Sequence, residues 1–400
     1  MLLGVGPEGP VRGRRVAVTG MGVVAGCGIG LDAFWAGLHR PAPDGTRRVP
    51  AFDPTIWFGP KEVRRVDRFA QFSVAAAAMA TEDAGELGVD PDRAGVVFAT
   101  GVGGLESIEK QVAVYLEKGA DRISPFLVPM MMSNAGAAGI SMRLGYRGPC
   151  ETITTACAAG THALSAAARL VASGRCDVVV GGGAEAALTP VGLGAFANMT
   201  ALSAEGVSRP FDARRNGFVA AEAAGALVLE DLDHARRRGA RIYAEVLGAA
   251  STADAHHITA PAPGGAGAAA CMELALADAE ITPEAVGHIN AHGTSTPLND
   301  LAESQAIVKV FGAPGPPVTS VKGVTGHALG GAGAIEAVAT VLSMVHRSIP
   351  PTVGHEEADP EIHIDVVAGT ARPWEPAPAL SNSFGFGGHN GTLVLAPLAD

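Results

Sequence analysis

Aromatic side chains are scarce in this chain, 5% of its 400 residues, against 48% hydrophobic residues overall and 53 glycines. A core short of large rings must be built from Ala, Val, Leu and Gly by bringing backbones close together. Charged residues are few as well, 17%, and leave a net charge of −11, which speaks against general nucleic-acid binding. The five cysteines, Cys27, Cys150, Cys157, Cys176 and Cys271, are odd in number and irregularly spaced. That excludes a disulfide framework or a zinc ribbon and points to a reduced, cytoplasmic protein. No apolar run reaches the roughly 18 residues of a membrane helix, and Met1 to Gly9 lacks a signal-peptide pattern. What remains is a large core in one or two domains, with a soluble enzyme as the default.

The stretch from Thr152 to Ser165, T-I-T-T-A-C-A-A-G-T-H-A-L-S, carries the clearest chemistry. A β-branched run, Thr152 to Thr155, reads as a strand that stops at Cys157 and passes into an Ala-rich helix reaching toward Val171. A thiol at such a corner meets the positive end of the helix dipole and its unpaired amides, which favour thiolate and can hold an oxyanion. The competing reading is an inert buried cysteine at a tight turn. A second stretch, T-S-V-K-G-V-T-G-H-A-L-G-G-A-G from Thr319, can be written beneath the first from Thr154. Lys322 then falls under Cys157 and His327 under His162, with H-A-L in both. Two such units suggest a duplicated fold whose pseudo-two-fold axis faces a thiol of one half toward a Lys and a His of the other. Chance matching in a Gly/Ala-rich chain is the alternative.

Along the rest of the chain, Arg15 to Val24 reads as a buried strand ending in glycines. No acidic residue follows at dinucleotide-fold spacing, so a Rossmann assignment fails. Lys61 to Arg68, K-E-V-R-R-V-D-R, is the dense basic stretch, either a docking patch for an acidic partner or a solvated helix face. Met130, Met131 and Met132 line an adaptable pocket or simply pack a core. Asp231 to Arg241 reads as an outer helix at the seam between halves 1–240 and 241–400. In the second half His292 ends a short strand, sterically open as a donor to a carbonyl must be, or else a structural histidine. N-S-F-G-F-G-G-H-N-G from Asn382 reads as a mobile loop with free amides or as a plain hairpin turn.

T-A-C-A-A-G-T-H, N-A-H-G-T-S-T-P, S-V-K-G-V-T-G-H-A-L-G-G-A-G-A-I-E and N-S-F-G-F-G-G-H-N-G resemble, in order, the motifs of the β-ketoacyl-acyl-carrier-protein synthases of the elongating type, nearest to type II. The resemblance covers nearly the whole chain. It implies an α/β, thiolase-like fold, with duplicated halves stacked as a five-layer αβαβα sandwich. It also implies a decarboxylative Claisen condensation between an acyl group on Cys157 and malonyl-acyl carrier protein, without metal or redox cofactor. The motif positions imply Cys157 as nucleophile, His292 and His327 as the catalytic pair, Lys322 with Glu336 as its acidic partner, and Phe386 as gate. The amides of Cys157 and Phe386 would hold the oxyanion. Thr294 and Thr296 would hold the pantetheine arm, Val102 and Leu127 would line the acyl pocket, and Lys61, Arg64 and Arg65 would meet acyl carrier protein.

Residue types exclude several relatives. Synthase III and chalcone synthase would carry Asn where His327 stands, a biosynthetic thiolase a second Cys in the C-terminal Gly loop, and a silent chain-length factor no Cys157. One segment departs from the family's usual R-D-G-F-V-x-G-E-G-A-G, with Asn216, Ala221 and Ala223 in R-N-G-F-V-A-A-E-A-A-G. The family is normally homodimeric. The alternative reading is the ketosynthase subunit of a dissociable, type II polyketide synthase, paired with a homologous chain-length factor. A catalytically idle acyl-binding scaffold is the reading from a different class.

Overall fold

The computed structural model describes residues 13–399, so the segment Met1 to Gly9 lies outside the described residues. Strand β1 (Val16–Ala25) is buried along its whole length. Helix α1 (Arg68–Ala84) starts at Asp67, whose carboxylate accepts from the amide of Phe69 at 3.2 Å, and lies across β1. Next come β2 (Ala94–Ala99), the two-residue β3 (Cys150–Glu151), α2 (Ala159–Ala172), β4 (Val178–Glu185) and β5 (Ala223–Asp231). The second half runs through β6 (Ala244–Ala253), α3 (Ala266–Asp278), β7 (His288–Asn290), α4 (Pro297–Phe311) and β8 (Pro317–Thr319). It ends with α5 (Ala332–Val345), β9 (Ala379–Gly385) and β10 (His389–Ala396).

Hydrogen bonds link these strands in the order β8-β7-β9-β10-β6-β1-β5-β4-β2-β3, which reads the same from either end once the halves are matched. β2 pairs in parallel with β3 and β4, as β7 does with β8 and β9, and the other pairings are antiparallel in both halves. The halves meet where Val16 to Val18 pair antiparallel with Ala244 to Val246, as a two-fold axis requires. The duplication is therefore real.

Helices α2 and α5 lie between the two half-sheets, α1 and the helix Ala135–Leu144 cover one outer face, and α3 with α4 covers the other. Alternation along the strands divides the core accordingly. Ala223, Leu227 and Leu229 of β5 face the central helices, while Ala224, Ala226 and Val228 face α1. Where α2 crosses α5, a Cβ on Gly333 would stand 2.3 Å from Thr161 Oγ1, and one on Gly160 2.8 Å from the nitrogen of Ala334. Small residues at this crossing let the two backbones touch, which is how a chain poor in rings fills its core.

Two expectations are corrected. Thr152 to Thr155 is irregular; the strand before it is only Cys150–Glu151, because the chain must leave the sheet to form the corner that carries the thiol. The register of the internal repeat also differs. The turns Ala156–Ala158 and Leu329–Gly331 each precede a central helix, and each opens on a residue with positive φ, Ala156 at 49° and Leu329 at 42°. Cys157 thus corresponds to Gly330 and His162 to Ile335. Lys322 belongs to a short helix, Lys322–Thr325, inserted ahead of the second turn, so the shared H-A-L is a coincidence of composition.

Candidate active site

Cys157 sits in the turn Ala156–Ala158 at the amino end of α2, 5% exposed. The corresponding turn of the other half packs directly against it. His292 follows β7, and its amide and that of Gly293 donate to the Glu303 carboxylate on α4 at 2.8 and 2.7 Å, which holds the strand end in place. His327 is clamped through its backbone: its amide donates to the carbonyl of Val219 at 2.7 Å, and its carbonyl accepts from Ala221 at 3.1 Å. The Phe218 ring stands edge-on to the His327 imidazole at 5.3 Å. One ligand-capable atom from each of Cys157, His292 and His327 lies within 4.8 Å of the others, and the two imidazoles are nearly perpendicular at 5.2 Å.

Lys322, wholly buried, makes an ion pair with Glu336 of α5 and donates to His292 Nδ1 at 3.3 Å. That contact leaves the ring proton of His292 on Nε2. The lysine therefore works beside His292. His327 Nδ1 is buried without a hydrogen-bond partner among the described residues. Burial, with Lys322 adding to it, drives both imidazoles well below the ordinary histidine range, so both are neutral at pH 7. Burial also pushes the Cys157 thiol up to about 11, against the pull of the Phe386 amide and of Lys322. The expected thiolate is thus corrected: the amides are in place, but the buried sulfur loses more hydration than they return.

The Asn382–Gly391 stretch is a hairpin, β9 and β10 joined through Phe386. Gly385 lets the hairpin approach the nucleophile turn closely, since a Cβ there would crowd the Cys157 amide nitrogen at 3.0 Å. Phe386, Thr294 and Thr296 line one cavity of about 390 Å³ with Cys157, His292 and His327. The two threonine hydroxyls lie 2.9 Å apart, and Thr296 caps α4. Asn216 is in the same wall, accepting from Ser203 Oγ at 2.8 Å.

Two family models match the chain: "Beta-ketoacyl synthase, N-terminal domain" over residues 42–235 and "Beta-ketoacyl synthase, C-terminal domain" over residues 243–356. The chain belongs to the beta-ketoacyl synthase family. It is 44% identical to the "3-oxoacyl-[acyl-carrier-protein] synthase 2" of Synechocystis, over 96% of this chain and 98% of that protein. To the protein so named from Vibrio harveyi it is 41% identical, over 97% and 99%. Among solved structures it is similar to "The ishigamide ketosynthase/chain length factor", with TM-score 0.91, 35% identity and coverage of 97% and 100%. It is also similar to a type II PKS acyl-carrier protein in complex with its ketosynthase, AntDE:AntF, with TM-score 0.88, 33% identity and coverage of 96% and 100%. The layered duplicated architecture is the thiolase-like fold.

Not every position implied by the ketosynthase resemblance gathers at this cavity. Val102 is 44% exposed and Leu127 half-buried, and neither lines it within the single chain. Lys61, Arg64 and Arg65 are exposed around the short helix Val63–Arg65, with the Arg65 guanidinium 4.4 Å over the Phe126 ring. Met130 borders a surface groove beside Arg64, apart from the cavity.

Sequence reasoning gave no site role to Glu303, Glu185 or His162. Glu303 and Glu185 are buried carboxylates that anchor backbone amides, and burial pushes each up to about 7. Glu185 accepts from Gly101 at 2.7 Å and Gly330 at 3.2 Å. His162 Nδ1 accepts a hydrogen bond from Thr155 Oγ1 at 2.8 Å and its Nε2 donates to the Asn390 carbonyl at 3.0 Å, tying the nucleophile turn to the hairpin. His162 lay inside the T-A-C-A-A-G-T-H motif, while Glu303 and Glu185 left no local signal.

Proposed function

We propose that this 3-oxoacyl-[acyl-carrier-protein] synthase elongates fatty acyl chains by decarboxylative condensation, with roles divided as follows. Cys157 is the nucleophile. Because burial keeps it a thiol, acylation needs a base, and His327, neutral and in the same buried cluster, is the acceptor at hand. Sulfur attacks the carrier thioester, and the departing pantetheine sulfur recovers the proton. When malonyl carrier protein replaces it, loss of carbon dioxide leaves an enolate whose oxygen accepts hydrogen bonds from the Nε2 hydrogens of His292 and His327. Lys322, paired with Glu336, keeps the His292 proton on Nε2. The carbanion attacks the acyl carbonyl, the amides of Cys157 and Phe386 receive its oxygen, and collapse frees the 3-oxoacyl product and the Cys157 sulfur.

Thr294 and Thr296 would hold the pantetheine arm and Phe386 would gate it. Val102 and Leu127 would line the acyl chain, and Lys61, Arg64 and Arg65 would meet acyl carrier protein, as a carrier protein meets the ketosynthase of AntDE:AntF. Assembly as a homodimer or with a homologous subunit, the division into halves 1–240 and 241–400, and a soluble cytoplasmic setting belong to the same reading. Among the described residues no helix is long and apolar enough to cross a membrane.

The observation that carries the proposal is the convergence of Cys157, His292 and His327 within 4.8 Å. Its test is Cys157→Ala, which should abolish condensation while malonyl carrier protein is still decarboxylated; full condensation by that variant would end it. The likeness to polyketide ketosynthases favours a second reading, as one subunit of a type II polyketide synthase. Identities of 44% and 41% to proteins named 3-oxoacyl-[acyl-carrier-protein] synthase 2 weigh against it, and product chain analysis with and without a chain-length-factor partner decides between them.

A further inference from the structure

The same three side chains form a donor set with a second use. One ligand atom each from Cys157, His292 and His327 lies within 4.8 Å of the others, and all three residues are buried. Sulfur with two imidazole nitrogens suits a borderline-soft divalent cation and not Mg²⁺ or Ca²⁺, which take oxygen. With bonds of 2.0–2.3 Å, neighbouring ligand atoms of tetrahedral zinc stand roughly 3.3–3.6 Å apart, so side-chain rotations of about 1 Å close the site. His292 Nδ1 is occupied by Lys322, which makes Nε2 the ligating nitrogen. His327 presents its Nε2 lone pair once its ring proton moves from Nε2 to Nδ1, which is buried and without a hydrogen-bond partner among the described residues. The cavity above supplies room for a fourth ligand.

We propose that Cys157, His292 and His327 form an inhibitory site for a thiophilic divalent cation such as Zn²⁺, whose occupation excludes acylation of the thiol. On binding, Cys157 releases its thiol proton and His292 its Nε2 proton to solvent. Lys322 passes one proton to His292 Nδ1 and becomes neutral. The cation thus meets a thiolate and no longer faces a neighbouring ammonium, with the Glu336 carboxylate close behind.

This inference rests on the donor geometry and not on the condensation reading, so its test reads no turnover. The full chain is alkylated with iodoacetamide with and without Zn²⁺, and each cysteine is followed by mass spectrometry. With Zn²⁺ tenfold above its Kd, the Cys157 rate should fall about tenfold and recover with EDTA. Co²⁺, as a second probe, should give a sulfur-to-metal charge-transfer band that disappears in Cys157→Ala and weakens in His327→Ala. Circular dichroism confirms that the variants are folded, and the wild-type alkylation arm needs no variant. Unchanged Cys157 alkylation, protection confined to the exposed Cys150, or a Co²⁺ band that survives Cys157→Ala overturns the proposal.

Discussion

At the scale of the residue, burial outweighs local position. Cys157 stands where a helix dipole and free amides favour thiolate, yet its sulfur is driven up to about 11. Its alkylation rate in the free enzyme should therefore climb about tenfold per pH unit from pH 7 to 10. A plateau near neutrality would show the dipole winning after all. His292→Ala should leave acylation of Cys157 intact and slow decarboxylation by roughly 100-fold, the cost of one preorganised donor, whereas His327→Ala should slow both steps. Intact acylation in His327→Ala would remove its assignment as base.

His288 makes a different case, because the mechanism does not use it. It is 1% exposed at the start of β7, against Trp374, with neither ring nitrogen hydrogen-bonded among the described residues, and burial lowers it to about 3. The unfolded chain protonates this histidine near pH 6.5 while the folded chain does not until about 3. Stability from this site is unaffected above pH 6.5 and declines as pH falls from there toward 3. Urea denaturation of His288→Leu should show a shallower loss between pH 7 and 5. At pH 7 the variant should be no less stable, since an unmet buried N–H costs about 1–3 kcal/mol.

At the scale of the element, the crossing of α2 and α5 carries the site, since the Cys157 turn begins one helix and Glu336 lies in the other. In Gly333→Ala the new methyl would meet Thr161 Oγ1 at 2.3 Å and its backbone nitrogen at 2.7 Å. Overpacking of this kind costs about 1–3 kcal/mol, and calorimetry should record a lowered Tm together with slower acylation. An unchanged Tm would mean that the helices can part without strain. Element reading from the sequence succeeded where one period ran long and apolar. The buried strand expected over Arg15 to Val24 is β1, Val16–Ala25, and the Ala-rich helix expected to reach toward Val171 is α2, ending at Ala172. It failed at Thr152 to Thr155, where β-branched residues favour a strand but the chain has to bend out of the sheet. The hairpin at Phe386 was left open between two readings, because glycine permits both a turn and a loop. Only pairing with β10 decides.

At the scale of the whole molecule, a net charge of −11 repels an acidic carrier protein at long range, so docking requires a local positive patch. Exposed pairs are individually weak, about 0.2–1 kcal/mol, so reversal of Lys61, Arg64 and Arg65 to Glu together should raise KM for carrier-bound malonate about tenfold or more. Rising salt should weaken the unmodified enzyme in the same way, as the Debye length shrinks to about 3 Å at 1 M. Small acyl thioesters without a carrier should acylate the triple variant at an unchanged rate. Equal losses for both substrates would make the patch structural. The sequence by itself determined the reaction class and the residues that gather at the cavity, because Cys157, His292, His327, Lys322 and the hairpin each sit inside a short ordered motif whose residue types are readable locally. It also signalled the duplication, though in a false register, since an alignment of small residues cannot see the insertion that carries Lys322. Tertiary structure alone decided which histidine Lys322 meets, that the thiol rests protonated, and that Glu303 and Glu185 anchor the site. Those outcomes depend on burial and on contacts between segments more than a hundred residues apart in some cases, and no local pattern encodes them.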